Sequence, residues 1–562
     1  MRFDLIIRGG SVVDGSGAAA RIADVAVTGD RIAAVDNLAA AETARIIDAT
    51  GCVVAPGFID AHAHSDAYLL LEPDAPSKLT QGITTEVNGQ CGGSATPRLG
   101  LARLSSDWAS QTYPQLTPNS QDVSESATPG PTWNTVANYR ALFQAVRPAI
   151  NTVQFIGHNT LRAGVMGYDP RTATPEELNA MCRRLEEALD EGGWGFSTGL
   201  LYQPGKYALQ EEVLVLAKTA ASRNAMYATH MRSEGNRLLE SVEEVLDLVR
   251  ATGIRAQISH LKTSGPANWH KIGRLLETIS KARQEGAQVH SDRYPYLASG
   301  TDLDIVLPEW AAAGGRDAIM ANLTDPAKRA RLETDLDADG RDWSAVMIGG
   351  GWSEETRVFS GRTVSEAAAG LGLTPGQTVC RFIEADETRT GAFFFGMCAE
   401  NLWRVYTNPW VMPGSDASLR APWGPLGQDH PHPRAYGTMP RFLRLMTGRE
   451  DGFERICGLE EAVRRMTALP AAAFGIRDRG EVRAGAFADI VVFSETEFKD
   501  TATYAAPHSF CKGVRQVIVN GALSFDNGKF TGERNGRFLI PDRSDSSARS
   551  RQYRCQSQRR ES

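Results

Sequence analysis

Two rhythms of apolar and polar positions alternate along the chain. Residues 1 to about 55 run as short apolar stretches broken by turn punctuation, FDLIIRGG, SVVDG, ADVAVTGDRIAAV and RIIDATGCVV. That pattern predicts consecutive β-strands joined by tight turns. FADIVVFS and GVRQVIVNGALSFDNGKF repeat the style near the other end, where the Asn-Gly step marks a hairpin. The two ends are therefore expected to share one small β-sandwich, residues 1–55 plus 481–540. Between them, residues 56–480 carry apolar runs of strand length separated by helical stretches, the βα alternation of a parallel sheet or barrel.

The clearest units lie at 223–296. AMYATH, RAQISH and AQVHSDRYPY are strand-like, and the intervening segment NRLLESVEEVLDLVRATGI places Leu239, Val242, Leu246 and Val249 at helical spacing. Gly253 and Gly286 stand where helix C-caps are expected. Residues 104–135, rich in Ser, Thr, Pro and Gln, predict a surface excursion or lid. A second insertion is expected near 301–357, and the Arg-rich stretch 541–562 reads as a disordered tail.

Length and charge narrow the functional classes. A chain of 562 residues suits several domains of about 150 residues, or one large barrel with additions. A net charge of -7, with Arg concentrated only at the extreme C-terminus, offers no nucleic-acid footprint. No apolar run is long enough to span a bilayer, and the N-terminus lacks the apolar core of a secretory signal. Eight cysteines without framework spacing suit a reducing cytoplasm better than an oxidising compartment.

The candidate chemistry collects at predicted strand ends. His62 and His64, in GFIDAHAHSD, sit at alternate positions after an apolar segment, so both imidazoles can face one point. Cys91, in NGQCGG, offers a thiolate suited to Zn²⁺. His230 and His260 stand 30 residues apart, one βα repeat, which places both on the rim where barrel enzymes keep their active sites. Asp416 follows the apolar segment WVMP and adds a carboxylate. Taken singly, each has a bland reading as a packing or turn residue; together they form a set of N, S and O donors.

The ordered motifs GFIDAHAHSD, NGQCGG, GHNTLRAGVMG, GWGFSTGLLYQPG, ATHMRSEG, ISHLKTSGPANW, DRYPYLASGT, WVMPGSDAS and HPHPRAYGT span about residues 3–535. In this order they resemble the amidohydrolase superfamily, and within it the N-acyl-D-amino-acid deacylases (D-aminoacylases). The resemblance implies a metal-dependent (β/α)₈ barrel of TIM type with a small β-sandwich. It implies that Cys91, His230 and His260 hold a tight Zn²⁺, while His62, His64 and Asp416 border a second, weaker or empty position. Asp416 would exchange protons with water and the leaving amine. Lys262 resembles the family's contact to the substrate α-carboxylate, with Tyr294, Ser299 and Arg434 as further candidates. The implied reaction is hydrolysis of an N-acyl-D-amino acid, a small-molecule substrate. The alternatives are cleavage of a cyclic amide or dipeptide on the same scaffold, or a non-catalytic scaffold protein that should have lost metal donors.

Overall fold

The computed structural model describes residues 2–102 and 133–543. The expected excursion at 104–135 lies outside these residues except for its last three, and so does the tail beyond 543.

Eight parallel strands form a barrel in strict chain order: β1 (Phe58–Asp60), β2 (Ile83–Asn88), β3 (Asn151–Gly157), β4 (Gly195–Gly199), β5 (Met226–His230), β6 (Arg255–Ile258), β7 (Val289–Arg293) and β8 (Val411–Pro413). Every residue of β2 and β3 is buried, as parallel strands covered on both faces require. The seam closes just beyond the strand ends, where Ala61 N–H donates to Pro413 O (3.4 Å), Asp416 N–H to His62 O (2.8 Å) and His64 N–H to Ala417 O (3.3 Å). The chain order and the helical stripes put the helices outside. Helix Leu238–Thr252 buries Val242, Val245, Leu246 and Val249 against the barrel and ends at Gly253 in the left-handed conformation.

The two chain ends share one nine-stranded sheet. Strand Val53–Pro56 is the join, parallel to the end of Arg2–Val12 and antiparallel to Ile490–Phe493. Strand Arg2–Val12 shifts register between Ile7 and Gly10, so its first half pairs with Glu42–Asp48 and its last residues with Val53–Pro56. The sheet curls around Ile7, Val25, Ile47, Val54, Ile490, Val492 and Ile518, which form one buried cluster.

A satellite unit interrupts the barrel between β7 and β8. Its three antiparallel strands, Ser299–Asp302, Val346–Ile348 and Gly391–Phe394, cover a separate core that includes Leu303, Leu332, Ile348, Val379, Phe382 and Ala392. The insertion thus reaches about residue 394 rather than the expected 357. The reason is packing: helices Val364–Leu371 and Pro375–Ala385 have the apolar stripes of barrel helices, yet bury them in this second core.

Lys78 ties the barrel seam together from below. It is fully buried, and its Nζ donates to Asp60 Oδ2 (3.2 Å), Ser415 Oγ (3.2 Å) and Ala417 O (3.2 Å) and pairs with Glu86 Oε1 (2.6 Å). Asp60 in turn accepts from the Ser415 backbone N–H (2.8 Å) and the Ser415 hydroxyl (2.6 Å). One ammonium therefore meets two interior carboxylates, of which Glu86 is raised in pKa by burial, and binds residues on both sides of Asp416. Lys78→Met leaves Asp60 and Glu86 buried without a counter-charge, and the expected loss of stability is about 3–5 kcal/mol by urea unfolding at neutral pH. A loss below about 1 kcal/mol would show that the two carboxylates do not depend on Lys78.

Candidate metal centre

The loops that follow β1, β2, β5, β6 and β8 converge at the C-terminal mouth of the barrel. Cys91 reaches it because the loop after β2 turns sharply and packs hard against β3 and β4. Gly89 has φ +75°, and a Cβ there would stand 2.0 Å from Phe155 O; at Gly92 (φ +77°) it would stand 2.5 Å from Gly199 N. Cys91 (φ 52°), His260 (φ 37°) and Asp416 (φ 50°) themselves occupy the left-handed region. Such conformations in residues other than glycine cost on the order of 1–3 kcal/mol each and persist where surrounding structure dictates them.

The side chains meet closely. Cys91 Sγ lies 3.3 Å from His62 Nε2 and 3.4 Å from His260 Nε2. Asp416 Oδ1 lies 3.2 Å from His62 Nε2 and 3.1 Å from His64 Nε2, and the two imidazole nitrogens are 3.3 Å apart. The His230 ring packs edge-on against His260 and Tyr202, with ring centres 4.5 and 4.7 Å away. His62, Cys91, His260 and Asp416 present donor atoms all within 4.8 Å of one another, as do His230, Glu234 and His260. His260 belongs to both groups and so links Cys91, His62 and Asp416 to His230 and Glu234, and His230 also acts on the Cys91 thiol.

These distances suit a metal. Tetrahedral Zn²⁺ with bonds of about 2.0–2.3 Å separates its ligand atoms by roughly 3.3–3.8 Å, the scale found around Cys91. Both ring nitrogens of His230 are buried and, among the described residues, lack a close hydrogen-bond partner, while the ring stands near enough to Cys91 to lower its thiol pKa; a coordinate bond would satisfy one of these nitrogens. A buried set of thiolate, imidazole and carboxylate is the donor chemistry of zinc.

The electrostatics agree. Burial acts most strongly on Cys91 and raises its pKa, but neighbouring His62 and His260 overcome it and hold the thiol well below its usual value. Burial likewise opposes ionisation of Asp416, yet Arg434, His260 and His62 hold its carboxyl well below the usual range. Against burial, bonds to Asp416 and Cys91 raise His64 to about 9, and the charges of Glu234, Asp416 and Cys91 raise His260 to about 10. The buried anions are strong enough to recruit protons onto imidazoles, the same demand that a cation satisfies.

The remaining sequence candidates fall into place unevenly. Arg434 Nη1 donates to Asp416 Oδ2 (2.8 Å), and its guanidinium covers the Tyr294 ring at 4.6 Å. The buried Tyr294 hydroxyl has no hydrogen-bond partner among the described residues and is lowered in pKa: burial raises it, but Lys262, Arg293 and Arg434 outweigh that. Lys262 is 4% exposed and engaged by Glu234, by His260 Nδ1 (2.8 Å) and by His260 O (3.1 Å). Ser299 begins the satellite strand, pairing with Phe394; its neighbours Gly300, Thr301 and Asp302, rather than Ser299, line the cleft beside Asp416. His158, in the GHNTLRAGVMG motif, is buried with Nε2 2.8 Å from Glu212 Oε1. A cavity of about 410 Å³ opens past His64, Cys91 and Tyr202 towards the satellite unit.

Sequence reasoning missed Asp292 and Glu234. Asp292, next to last in β7, holds His62 Nδ1 at 3.2 Å, and Glu234 holds His260 Nδ1 at 2.8 Å. Each had a signal, a carboxylate at a strand end and a carboxylate four residues after His230.

The amidohydrolase family matches residues 45–293 and 401–525, leaving out the satellite unit. The chain is 36% identical to the N-acyl-D-glutamate deacylase of Alcaligenes xylosoxydans xylosoxydans, over 97% of this chain and 98% of that one. It is 35% identical to the D-aminoacylase of the same organism, over 96% and 97% respectively. The crystal structure of N-acyl-D-glutamate deacylase from Bordetella bronchiseptica, complexed with zinc and a phosphonate mimic of the tetrahedral intermediate, aligns with a TM-score of 0.79 and 35% identity, covering 96% of this chain and all of that one.

The raised imidazoles set a pH dependence. At neutral pH the metal-free protein carries protons on His64 and His260, and an imidazole must be neutral to coordinate, so zinc uptake expels protons. Apparent zinc affinity therefore climbs with pH between 6 and 8, by about tenfold per unit for each proton released. Chelator competition together with proton release in weakly buffered solution measures both; an affinity flat across this range would contradict the charge balance described.

Proposed function

The chain belongs to the amidohydrolase family, within its N-acyl-D-amino-acid deacylase branch, and on that premise we propose that it hydrolyses the amide bond of N-acyl-D-amino acids. The products are a carboxylate and a free D-amino acid. The observation that carries this reading is the convergence of Cys91, His62 and His260 beside a carboxylate, Asp416, that Arg434 keeps ionised at the mouth of the barrel.

In this reading Cys91, His230 and His260 hold Zn²⁺, with His62 and His64 available to a second ion. When bound, zinc supplies Lewis-acid activation of the amide carbonyl and of water. Asp416 is the proton carrier. One oxygen faces His62 and His64, where the reacting groups gather, while the other is fixed by Arg434, so the carboxylate is oriented and ionised at neutral pH. It takes the proton that water loses on attacking the carbonyl carbon and delivers it to the amine nitrogen as the C–N bond breaks.

The substrate α-carboxylate needs fixed donors. The Tyr294 hydroxyl stands among Lys262, Arg293 and Arg434, a cationic pocket suited to an anion. Of the four candidates only Arg434 lines the cleft beside Asp416; Lys262, Tyr294 and Ser299 stand behind that lining. The partner is thus a small acylated amino acid, and the acidic chain gives no purchase for nucleic acid. Among the described residues no helix is long and apolar enough to cross a membrane. Placement in the cytoplasm is supported by the seven described cysteines, all free.

A hydrolysis panel of N-acetyl-D- and L-amino acids, run with metal analysis, tests the reading. Turnover is expected on D-substrates and is abolished by chelation or by Cys91→Ala; hydrolysis that survives both removes the metal from the reaction. Asp416→Asn is expected to retain zinc while turnover falls on the order of 10²-fold or more, and near-normal turnover would exclude Asp416 from proton transfer.

A further inference from the structure

Glu234 occupies a position that the proposed reaction does not use. Its side chain is only 8% exposed, and one oxygen, Oε1, meets both His260 Nδ1 (2.8 Å) and Lys262 Nζ. The other, Oε2, lies 3.8 Å from His230 Nε2. Its backbone carbonyl accepts from Ser264 N–H (2.8 Å), which anchors the loop after β5 to the loop after β6. A buried carboxylate thus touches one imidazole, stands near a second and pairs with the lysine proposed to meet the substrate.

The chemistry at His260 Nδ1 demands a choice. Two groups stand 2.8 Å from this nitrogen, the Glu234 carboxylate and the Lys262 ammonium. An ammonium only donates and a carboxylate only accepts, so one ring nitrogen cannot serve both. If Lys262 donated to Nδ1, the ring proton would sit on Nε2, pointing at Cys91 Sγ 3.4 Å away, and His260 would have no lone pair for a metal. If Nδ1–H donates to Glu234, Nε2 is the nitrogen that gives up its proton and offers a lone pair to a metal at the shared donor group. Lys262 has other acceptors, Glu234 itself and the His260 carbonyl at 3.1 Å, whereas His260 Nδ1–H has only Glu234 within reach among the described residues.

We propose that Glu234 is a positioning residue that fixes His260 in its metal-coordinating tautomer and, by drawing Lys262 off the ring, aims that ammonium at the substrate carboxylate. This rests on the metal-dependent reading above. A carboxylate behind a ligating imidazole sets both its tautomer and its basicity, and removing such a partner weakens metal binding by roughly 10–100-fold. Here the same oxygen also controls a cation, which couples metal affinity to substrate affinity through one side chain.

The test compares wild type, E234A, E234Q and K262M by zinc affinity in competition with a chromophoric chelator, and by KM and kcat on the best N-acetyl-D-amino acid of the panel. E234A is expected to lose zinc affinity by roughly 10–100-fold and to show a raised KM once zinc is restored in excess. E234Q keeps an acceptor oxygen for Nδ1–H and is expected to recover most of that affinity. K262M removes the competing donor, so zinc affinity holds while KM rises. Equal zinc affinity in wild type and E234A overturns the proposal. So does a loss of zinc affinity of roughly tenfold or more in K262M, an outcome that can be read whether or not E234A folds. A wild type that binds no zinc overturns instead the metal reading on which it rests.

Discussion

The structure depends on compensation of largely buried negative charge at the mouth of the barrel. The Cys91 thiol and the Asp416 carboxyl are both held ionised, inside a barrel mouth where an uncompensated charge is prohibitive. Four imidazoles crowd around them, two raised to about 9 and about 10 by their anionic neighbours. A divalent cation answers the same demand with fewer protons and better geometry. The left-handed backbones at Cys91, His260 and Asp416 indicate that the fold absorbs strain to bring these groups together.

Support for this arrangement reaches well below the site. Lys78 locks the loop after β1 to the loop after β8, so His62 and Asp416 are presented by one cross-linked seam rather than by two independent loops. Asp292 holds the far nitrogen of His62, and Glu234 that of His260. In each case a carboxylate on the outer side of the ring leaves the inner nitrogen directed at the shared centre. The satellite unit supplies Thr301, Asp302 and Arg389 to the cleft, from a segment that the family match leaves out.

Much of this was legible in the sequence because it depends on local pattern. The βα rhythm gave the barrel, and strand-end positions gave His230 and His260. Strands from both chain ends share one sheet, as their matching turn-rich style suggested. Cys91 and Asp416 were legible as donors following apolar segments, although both sit in loops three residues past their strands. What was not legible depends on the third dimension. Lys78 reads in sequence as an ordinary surface lysine, and only the closed seam buries it. Helices 364–371 and 375–385 carry stripes that do not say which core they join. The close approach of His62 to Cys91 and Asp416 is set by loop geometry, which spacing along the chain does not encode.

The central claim, that Cys91 meets histidine around one zinc ion, is tested most directly by zinc K-edge X-ray absorption on the metal-loaded protein. The account predicts a sulfur scatterer at about 2.3 Å alongside nitrogen or oxygen neighbours at about 2.0–2.1 Å, with the sulfur shell lost in Cys91→Ala. A first shell made only of nitrogen and oxygen in the wild type would contradict it.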